Sequence, residues 1–330
     1  MILANKYKLI EKLSEGSFGT VYKATNIRTG ELVAVKIEYN SLNIDTKSLK
    51  NEAKIYQYLL KEPGFPKLKW FGKEVLPTKK ELYSTNKEVL PTKKELCSTK
   101  KEVLLTKKEL CSTNKELCST NKELKEQEGK EELTYIVIDL LVCSLTTLVK
   151  RKGSLSLKLI LQIGIQMIKR VETLHSKYLL HRDIKPDNFM LDKNKILCLI
   201  DFGLCKRYDH NGKHIEEKHI TSMIGSANFV SLNVHKGIEP SRRDDIVSCI
   251  YIILYLFLGG DLPWLLEKDM KRMVQIKEQL TNTNANTSVN TSVPQFIKNS
   301  LTSVYKLAFN AEPDYKELIN ILEMELKCFT

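Results

Sequence analysis

The chain has 330 residues, of which 42% are hydrophobic, and a formal net charge of +12. This length and apolar fraction can bury a sizeable core, which indicates a globular protein of two domains or one fold of two lobes. The positive charge suits a nucleic acid, a membrane surface or an acidic protein substrate, and charge alone does not choose among them.

The N-terminal sequence and the apolar runs argue against secretion and membrane insertion. Residues 1–8 lack the apolar stretch and the cleavage site of a signal peptide. The longest apolar run, residues 246–258, is too short to cross a bilayer and contains Ser248 and Tyr251. Eight cysteines are scattered without metal-ligand spacing. We therefore expect an intracellular protein with reduced thiols, in the cytoplasm, the nucleus or both.

The N-terminal part of the chain reads as a small antiparallel sheet with one helix. Residues 7–13 and 19–25 have the composition of strands around a glycine turn, and residues 32–39 predict a third strand. Residues 47–60 have apolar side chains at helical spacing, which predicts the helix.

A low-complexity segment follows, in which residues 73–128 form eight copies of a heptad such as Lys-Glu-Val-Leu-Pro-Thr-Lys or Lys-Glu-Leu-Cys-Ser-Thr-Asn. Its apolar residues are adjacent instead of being spaced as in a coiled coil, and Pro77 and Pro91 interrupt the early copies. We interpret this repeat as a surface insertion, and polar tracts of this kind are usually solvated expansions without a function.

The rest of the chain is mainly helical after one further strand at residues 134–140. Apolar periodicity predicts helices at residues 157–176, 244–258, 268–280 and 294–309. Residues 281–292 are rich in Asn, Thr and Ser and predict a loop. The predicted fold is therefore α+β, a single domain with an N-terminal sheet lobe (about 1–141) and a larger helical C-terminal lobe (about 144–330).

The turn between the first two strands has the composition of a phosphate-binding loop. Glycines at this turn would let backbone N–H groups approach phosphate oxygens closely. The pattern G-x-G-x-x-G-x-V is incomplete because Ser14 stands at its first glycine, and an ordinary hairpin turn is the better explanation of this segment taken alone. The residues assigned here to ATP binding are Leu13, Ser14, Gly16, Ser17, Gly19 and Val21.

The next strand carries Val33-Ala34-Val35-Lys36, in which Lys36 can reach the α- and β-phosphates of a nucleotide. Glu52 on the following helix can pair with Lys36. In isolation these two would more often be a surface lysine and a solvated carboxylate. We assign Ala34, Lys36 and Glu52 to the ATP site.

The most specific segment is residues 181–188, which matches H-R-D-x-x-x-x-N at every specified position. In such a segment Asp183 would orient an incoming hydroxyl and accept its proton, and Asn188 would hold a metal ion. Lys185 would stabilise charge on the transferring phosphoryl group, and a lysine at this position favours Ser/Thr acceptors. The predicted catalytic residues are Asp183, Lys185 and Asn188.

Thirteen residues after Asn188, the sequence Asp201-Phe202-Gly203 follows an apolar strand at residues 196–200. Asp201 at the end of that strand would chelate Mg²⁺, although Asp-Phe-Gly alone is also a common turn. The motifs agree in order, spacing and secondary-structure context. Together they predict a two-lobed protein kinase that uses ATP and Mg²⁺.

The sequence resembles the casein kinase 1 family over nearly all of the chain outside the repeat and the far C-terminus. Asp183-Ile-Lys-Pro-Asp-Asn-Phe-Met and Ile200-Asp-Phe-Gly-Leu look like the catalytic and metal segments of that family. Gly237-Ile-Glu-Pro-Ser-Arg-Arg-Asp-Asp is a highly specific match. Ser231-Leu232-Asn233 replaces the Ala-Pro-Glu of most kinases and is similar to the Ser-Ile-Asn of casein kinase 1 proteins.

The resemblance implies a hinge at about residues 139–143, where Asp139 and Leu141 bind adenine through their backbone and Ile138 lies behind the adenine pocket. It also implies that Asp245 braces the catalytic loop. The glycine often found five residues later is Ile250, which suggests altered helix packing. The repeat would lie between the fourth and fifth strands, at the edge of a lobe.

Members of this family phosphorylate Ser or Thr near acidic or phosphorylated residues through a basic anion site. Here that site would include Arg182 and Lys218, with Lys271 and Arg272 as looser additions. Asn228 stands at the place of a second arginine, so we expect weaker phosphate recognition. The expected partners are protein substrates, without membrane insertion or nucleic acid, and we expect a monomer.

Two alternatives stay open. A catalytically weak kinase that acts as a scaffold is suggested by Ser14, Asn228 and the repeat, although the catalytic and metal residues are retained. A nucleic-acid-binding protein is suggested by the charge alone, without a recognised binding motif.

The family generally needs no activating phosphate, but Thr221, Ser222 and Ser226 are available for modification.

Overall fold

The computed structural model describes residues 1–16, 19–40, 47–75, 132–281 and 293–329. Residues 76–128 of the predicted insertion and 282–292 of the predicted loop lie outside this part. The chain divides into two compact units. The first consists of residues 1–31, 35–46 and 72–135, and the second of residues 32–34, 47–71 and 136–330.

The N-terminal strands form a six-stranded sheet in the order β1-β2-β3-β4-β6-β5. The strands are β1 (Ile2–Leu3), β2 (Tyr7–Gly16), β3 (Gly19–Asn26), β4 (Leu32–Asn40), β5 (Leu68–Val75) and β6 (Glu132–Asp139). Alternation along β4 buries Val33, Val35 and Ile37 completely, and β-branched residues suit such a pleated surface.

The hairpin of β2 and β3 contains the predicted phosphate-binding turn. The two strands pair antiparallel as far as Gly16 opposite Gly19. Gly19 has φ +111°, and a Cβ there would lie 2.3 Å from the carbonyl oxygen of Ile37 on β4. Packing within the sheet therefore requires glycine at position 19. At Gly16 a Cβ would meet nothing within 4 Å, so packing does not explain that glycine.

Strand β5 extends through Val75, so the first three residues of the predicted insertion, 73–75, belong to the sheet. The Oε1 atom of Glu74 accepts hydrogen bonds from the backbone N–H of Ala4 at 2.5 Å and from the hydroxyl of Tyr135 at 3.0 Å. Glu74 thus has a structural role, which the heptad pattern concealed because a glutamate stands at the same place in later copies.

The second unit is mainly helical. Its helices are α1 (Lys47–Tyr58), α2 (Leu145–Lys152), α3 (Leu157–Ser176), α4 (Leu232–His235), α5 (Arg242–Phe257), α6 (Met270–Thr281), α7 (Gln295–Tyr305) and α8 (Tyr315–Lys327). Its short strands are β7 (Cys143–Ser144), β8 (Leu179–Leu180), β9 (Phe189–Leu191), β10 (Leu197–Leu199), β11 (Lys206–Arg207), β12 (Asp209–His210) and β13 (Lys213–His214).

Helix α5 is buried from Arg243 to Leu256, because it is apolar on nearly every face and helices pack around it. It begins two residues before the predicted start because Ser241 and Asp244 form a capping box. Ile250 is buried and faces Phe296 and Leu318 from α7 and α8. A β-branched side chain thus fills space between helices at the position where a glycine was expected.

The predicted α+β class is confirmed, with an antiparallel sheet in the N-terminal part and helices after it. Helix α3 has the predicted bounds, 157–176, and Ser156 caps its start by accepting from the N–H of Leu159. In the part of the chain that is described, no helix is long and apolar enough to cross a membrane. The assignment of the whole chain to one domain stays a prediction.

Candidate active site

The segment at residues 181–188 is held by its own histidine. His181 is fully buried, and its Nε2 donates a hydrogen bond to the carbonyl oxygen of Ile200 at 3.0 Å. Its Nδ1 accepts from the N–H of Asp183 at 3.3 Å. These two partners assign the neutral tautomer with the proton on Nε2. His181 therefore connects the backbone of Asp183 to that of Ile200, the residue that precedes Asp201.

Asp245 at the start of α5 holds the same segment from the other side. Its carboxylate accepts from the N–H of His181 at 2.8 Å, from the N–H of Arg182 at 2.9 Å and from Nε2 of His175 at 3.0 Å. Burial raises the pKa of Asp245, but the hydrogen bond from His175 and the other interactions outweigh burial, so its pKa is lowered. The predicted bracing of this loop by Asp245 is confirmed.

Two non-glycine residues at the site have left-handed backbone conformations, Arg182 with φ 66° and Asp201 with φ 65°. Side chains disfavour this region, so neighbouring contacts must hold both residues in place. The Nε of Arg182 donates to the carbonyl oxygen of Leu204 at 2.7 Å, and Gly225 packs so closely that a Cβ there would lie 2.5 Å from the carbonyl oxygen of Arg182. The N–H of Asp201 donates to the hydroxyl of Tyr56 at 3.2 Å.

Asp183 is the centre of a compact polar cluster. Its Oδ1 accepts from the hydroxyl of Ser226 at 2.8 Å, and its Oδ2 accepts from the ammonium of Lys185 at 2.6 Å. The amide nitrogen of Asn188 donates to the carbonyl oxygen of Asp183 at 2.8 Å. The carboxylate is 5% exposed. These contacts fix the direction of both carboxylate oxygens, and an ionised carboxylate so held can accept a proton from a hydroxyl group.

Asn188 and Asp201 provide oxygen atoms of the kind that Mg²⁺ prefers. The N–H of Ile200 donates to the carbonyl oxygen of Asn188 at 3.0 Å, which ties the residue before Asp201 to Asn188. Nowhere in the described ranges do three or more His, Cys, Asp or Glu side chains form a metal cage. Mg²⁺ in phosphoryl-transfer sites is usually bound by one or two carboxylates together with substrate phosphates, so this donor set fits the predicted role.

Helix α1 contacts the segment Asp201-Phe202-Gly203. The rings of Tyr56 and Phe202 pack edge to face with centroids 4.8 Å apart. Burial, and then the charge of Glu52, raise the pKa of Tyr56. Glu52 is only 1% exposed, so the alternative of a solvated helix carboxylate is wrong. Lys36 is half-buried on β4 of the first unit, and its pairing with Glu52 stays a prediction.

The predicted hinge follows β6. The carboxylate of Asp139 accepts from the N–H of Lys67 at 2.8 Å and pairs with Nζ of Lys69 at 2.9 Å. The N–H and C=O of Leu141 make no hydrogen bond to another described residue. Ile138 packs partly buried against the core of the second unit. These features are compatible with adenine binding by the backbone of Leu141, which stays a prediction.

The remaining predicted ATP-binding residues are spread over several strands. Ala34 is buried on β4. In the first unit, Ser14 pairs with Val21 across β2 and β3, and Leu13 is exposed. Ser17 lies outside the described residues.

The predicted anion site contains a carboxylate. Glu239 is buried and its side chain pairs with Lys206 and, at 3.7 Å, with Nη1 of Arg182. The N–H of Glu239 donates to the carbonyl oxygen of Lys218, so Arg182 and Lys218 both adjoin Glu239. Burial lowers the pKa of Arg182, and the charge of Glu239 opposes that shift. An anion that binds Arg182 must therefore compete with Glu239.

The two looser members of the predicted anion site, Lys271 and Arg272, are exposed on α6. The Nε of Arg272 pairs with Glu267 at 3.2 Å. The structure thus joins Arg182 and Lys218 through Glu239, whereas Arg272 has a partner of its own.

Sequence reasoning missed three residues of this region. The sequence patterns assigned no role to Lys206 or Glu239, although Lys206 lies soon after Asp-Phe-Gly and Glu239 lies in a family-specific segment. For Ser226 the sequence predicted only a candidate modification site and not its bond to Asp183. Gly225 packs closely against the carbonyl oxygen of Arg182, so this glycine was a signal that the segment lies beside the catalytic residues.

The sheet, the helices and the polar cluster around Asp183 are those of a phosphotransferase that acts on proteins. The family model for the protein kinase domain matches residues 75–321, well over half of the chain. The chain therefore belongs to the protein kinase family. Asp183, Asn188 and Asp201 lie within the match, and the glycine-rich turn precedes it. A protein kinase uses ATP as phosphoryl donor, usually with a divalent metal, and a protein as acceptor.

Proposed function

We propose that the chain is an active protein Ser/Thr kinase of the casein kinase 1 type, which transfers the γ-phosphoryl group of Mg-ATP to acidic protein substrates. The observation that carries this proposal is the geometry at Asp183. One carboxylate oxygen accepts from Lys185 at 2.6 Å and the other accepts from the hydroxyl of Ser226 at 2.8 Å. A buried carboxylate that is flanked by a lysine and a serine can accept the proton of an alcohol, such as the hydroxyl group of a Ser or Thr residue in the substrate.

In this mechanism Asp183 orients the Ser or Thr hydroxyl of the substrate and accepts its proton as the oxygen attacks the γ-phosphorus. The bond between the γ-phosphorus and the bridging oxygen of ATP breaks in the same transfer, and ADP leaves. Lys185 contributes positive charge beside the transferring phosphoryl group. Asn188 and Asp201 would hold Mg²⁺, which neutralises charge on the phosphates when it is bound. His181 and Asp245 keep the backbone of the catalytic segment in place, since each bonds to it at about 3 Å.

The casein kinase 1 type is supported by the way in which Ser231-Leu232-Asn233 is held. The hydroxyl of Ser231 donates to Oδ1 of Asp244 at 2.5 Å, and the side-chain amide of Asn233 donates to the same oxygen at 3.1 Å. Two of the three residues that distinguish this segment from Ala-Pro-Glu, Ser231 and Asn233, therefore bond to an aspartate of the family-specific segment 237–245.

The preference for acidic substrates is supported by the basic residues Arg182, Lys206 and Lys218. Because Glu239 already pairs with two of them, we propose that unphosphorylated acidic substrates are used and that a phosphorylated residue improves them little. This fits the expectation drawn from Asn228, which has no charge where an arginine would bind phosphate.

The experiment is incubation of the purified chain with Mg-ATP and casein, in comparison with Asp183→Asn. We expect phosphate on Ser and Thr of casein with the wild type and a loss of at least a hundredfold in the variant, since general-base catalysis contributes about 10²–10⁴-fold. Equal incorporation by both proteins, or none by either, would refute the proposal, and none by either would favour the scaffold alternative. Phosphotyrosine as the main product would refute the Ser/Thr assignment.

A further inference from the structure

Helix α6 carries a lysine that is completely buried. Lys277 is 0% exposed, and its ammonium donates to the carbonyl oxygens of Ala227 at 2.8 Å and Val230 at 2.9 Å. A third contact joins it to Nε2 of His235 at 3.0 Å. Three acceptors around one ammonium use all of its donors. The ammonium therefore binds only the backbone of residues 227–230 and the side chain of His235 in α4.

The surroundings of this ammonium lack a balancing carboxylate. Within the described ranges no acidic side chain pairs with Lys277. The rings of Tyr251 and Trp264 lie 5.1 and 5.3 Å from Nζ and supply cation–π attraction. Burial lowers the pKa of Lys277 to about 7. An unpaired buried charge is costly, so an apolar residue would serve stability at least as well. A role beyond stability is the better explanation for this lysine.

The backbone that Lys277 holds is the one that places Ser226. The N–H groups of Phe229 and Val230 both donate to the carbonyl oxygen of Ser226, at 2.8 and 3.0 Å, so residues 226–230 form a tight turn. Nε1 of Trp264 donates to the carbonyl oxygen of Asn228 at 2.8 Å. We call residues 226–230 the acceptor turn. Three of its five carbonyl oxygens are thus bound by Lys277 and Trp264.

The acceptor turn lies beside the reacting group. The hydroxyl of Ser226 bonds to Asp183, and the substrate hydroxyl must also reach Asp183. A substrate chain that brings its hydroxyl to this carboxylate therefore passes next to the acceptor turn. Two contacts hold the turn in place. Ser231, the residue after the turn, donates a hydrogen bond to Asp244, and Lys277 binds carbonyl oxygens within the turn.

We propose that Lys277 is a positioning residue for the protein substrate: its ammonium fixes the backbone of the acceptor turn, so that Ser226 and Asn228 are presented to the substrate chain beside Asp183. This inference rests on the proposed Ser/Thr kinase function. Lys277 does not touch the substrate, and it acts through the carbonyl oxygens of Ala227 and Val230.

The test uses Lys277→Met, which keeps the length of the side chain and removes its donors. The matched control is Lys316→Met on α8, where the lysine is exposed. KM and kcat are measured with an acidic Ser peptide and, separately, with ATP. We expect KM for the peptide to rise about tenfold, because the acceptor turn loses the hydrogen bonds from the ammonium to Ala227 and Val230. KM for ATP, and both KM values of the control variant, should stay unchanged.

A second readout does not depend on activity. Hydrogen exchange of the N–H groups of Phe229 and Val230 reports the order of the acceptor turn, and we expect it to be faster in Lys277→Met than in the wild type. Should Lys277→Met fail to fold, Lys277→Gln, which keeps a donor but has no charge, takes its place in both measurements.

The outcomes separate the inference from the function on which it rests. Faster exchange together with a selective rise in KM for the peptide supports the role of Lys277. An active wild type with unchanged KM for the peptide in the folded variant, or with equal rises for peptide and ATP, overturns it, even if the melting temperature falls. A wild type without transfer to any peptide overturns the proposed function first, and the inference with it.

Discussion

The hydroxyl of Ser226 donates a 2.8 Å hydrogen bond to Oδ1 of Asp183, although the two residues are 43 positions apart in the chain. This bond joins the catalytic segment to the part of the chain that precedes α4. Because Lys185 binds the other carboxylate oxygen, the orientation of Asp183 depends on one local and one distant partner.

Replacing Ser226 tests the distant partner. We expect Ser226→Ala to lower kcat/KM about tenfold, because a hydrogen bond to a charged group contributes about 1.5 kcal/mol or more. Ser226→Thr retains the hydroxyl and should keep most of the activity. Steady-state assays with casein provide the measurement, with Ser222→Ala at an exposed position as control. If Ala and Thr had the same effect, the hydroxyl would not be the important group.

Asp245→Asn should weaken the support of the catalytic segment. The carboxylate accepts from His175 and from two backbone N–H groups through both of its oxygens. In asparagine one of these oxygens is replaced by an NH2 group, which cannot accept, so at least one of the three bonds is lost. We expect a loss of about 3 kcal/mol in the free energy of unfolding, as for a broken buried pair, and a fall in kcat. Urea unfolding and turnover measure the two effects. Asp261→Asn, at an exposed position, is the control, and equal stability of both variants would contradict the account.

Glu239→Gln should change substrate preference. Removing this carboxylate frees Arg182 and Lys206 to bind an external anion. We expect KM for a peptide with a phosphoserine near the acceptor to fall relative to the unphosphorylated peptide, by severalfold and more at low salt. The ratio of the two KM values is the measurement, and Glu323→Gln on the exposed side of α8 is the control. An unchanged ratio would show that Glu239 does not limit anion binding.

The free energy of unfolding should decrease as the pH falls, because of the titration of His235. Burial, and then the charge of Lys277, lower the pKa of His235 to about 4, from an ordinary value of about 6.5. Between these two values the unfolded chain binds a proton that the folded chain does not, so the free energy of unfolding decreases as pH falls from about 6.5 to about 4. Above pH 6.5 His235 is neutral in both states and contributes no slope.

Urea unfolding of the wild type and of His235→Gln across this range is the measurement. We expect a shallower decrease in the variant, whereas His210→Gln, at an exposed position, should follow the wild type. Parallel curves for the wild type and His235→Gln would show that the histidine titrates normally in the folded protein.

Much of the catalytic segment was predictable because its contacts are local. Lys185 lies two residues and Asn188 five residues from Asp183, and a short loop with a fixed histidine holds them together. Helix α3 was predicted to its end residues, since an N-cap serine precedes a long amphipathic repeat. The start of the predicted insertion was less accurate, because residues 73–75 have the repeat pattern and yet belong to β5.

The sequence by itself determined the class of protein. The motifs at residues 181–188 and 201–203 supply a base, a lysine and metal ligands within short segments of fixed spacing, so they can be recognised without the fold. Only the tertiary structure decided that Ser226 binds Asp183, that Glu239 occupies the basic site and that Lys277 lies buried under the acceptor turn. The physical reason is the range of the contacts: partners 30 to 50 positions apart are chosen by the packing of helices and loops, and no local pattern encodes which side chain will face which carbonyl or carboxylate.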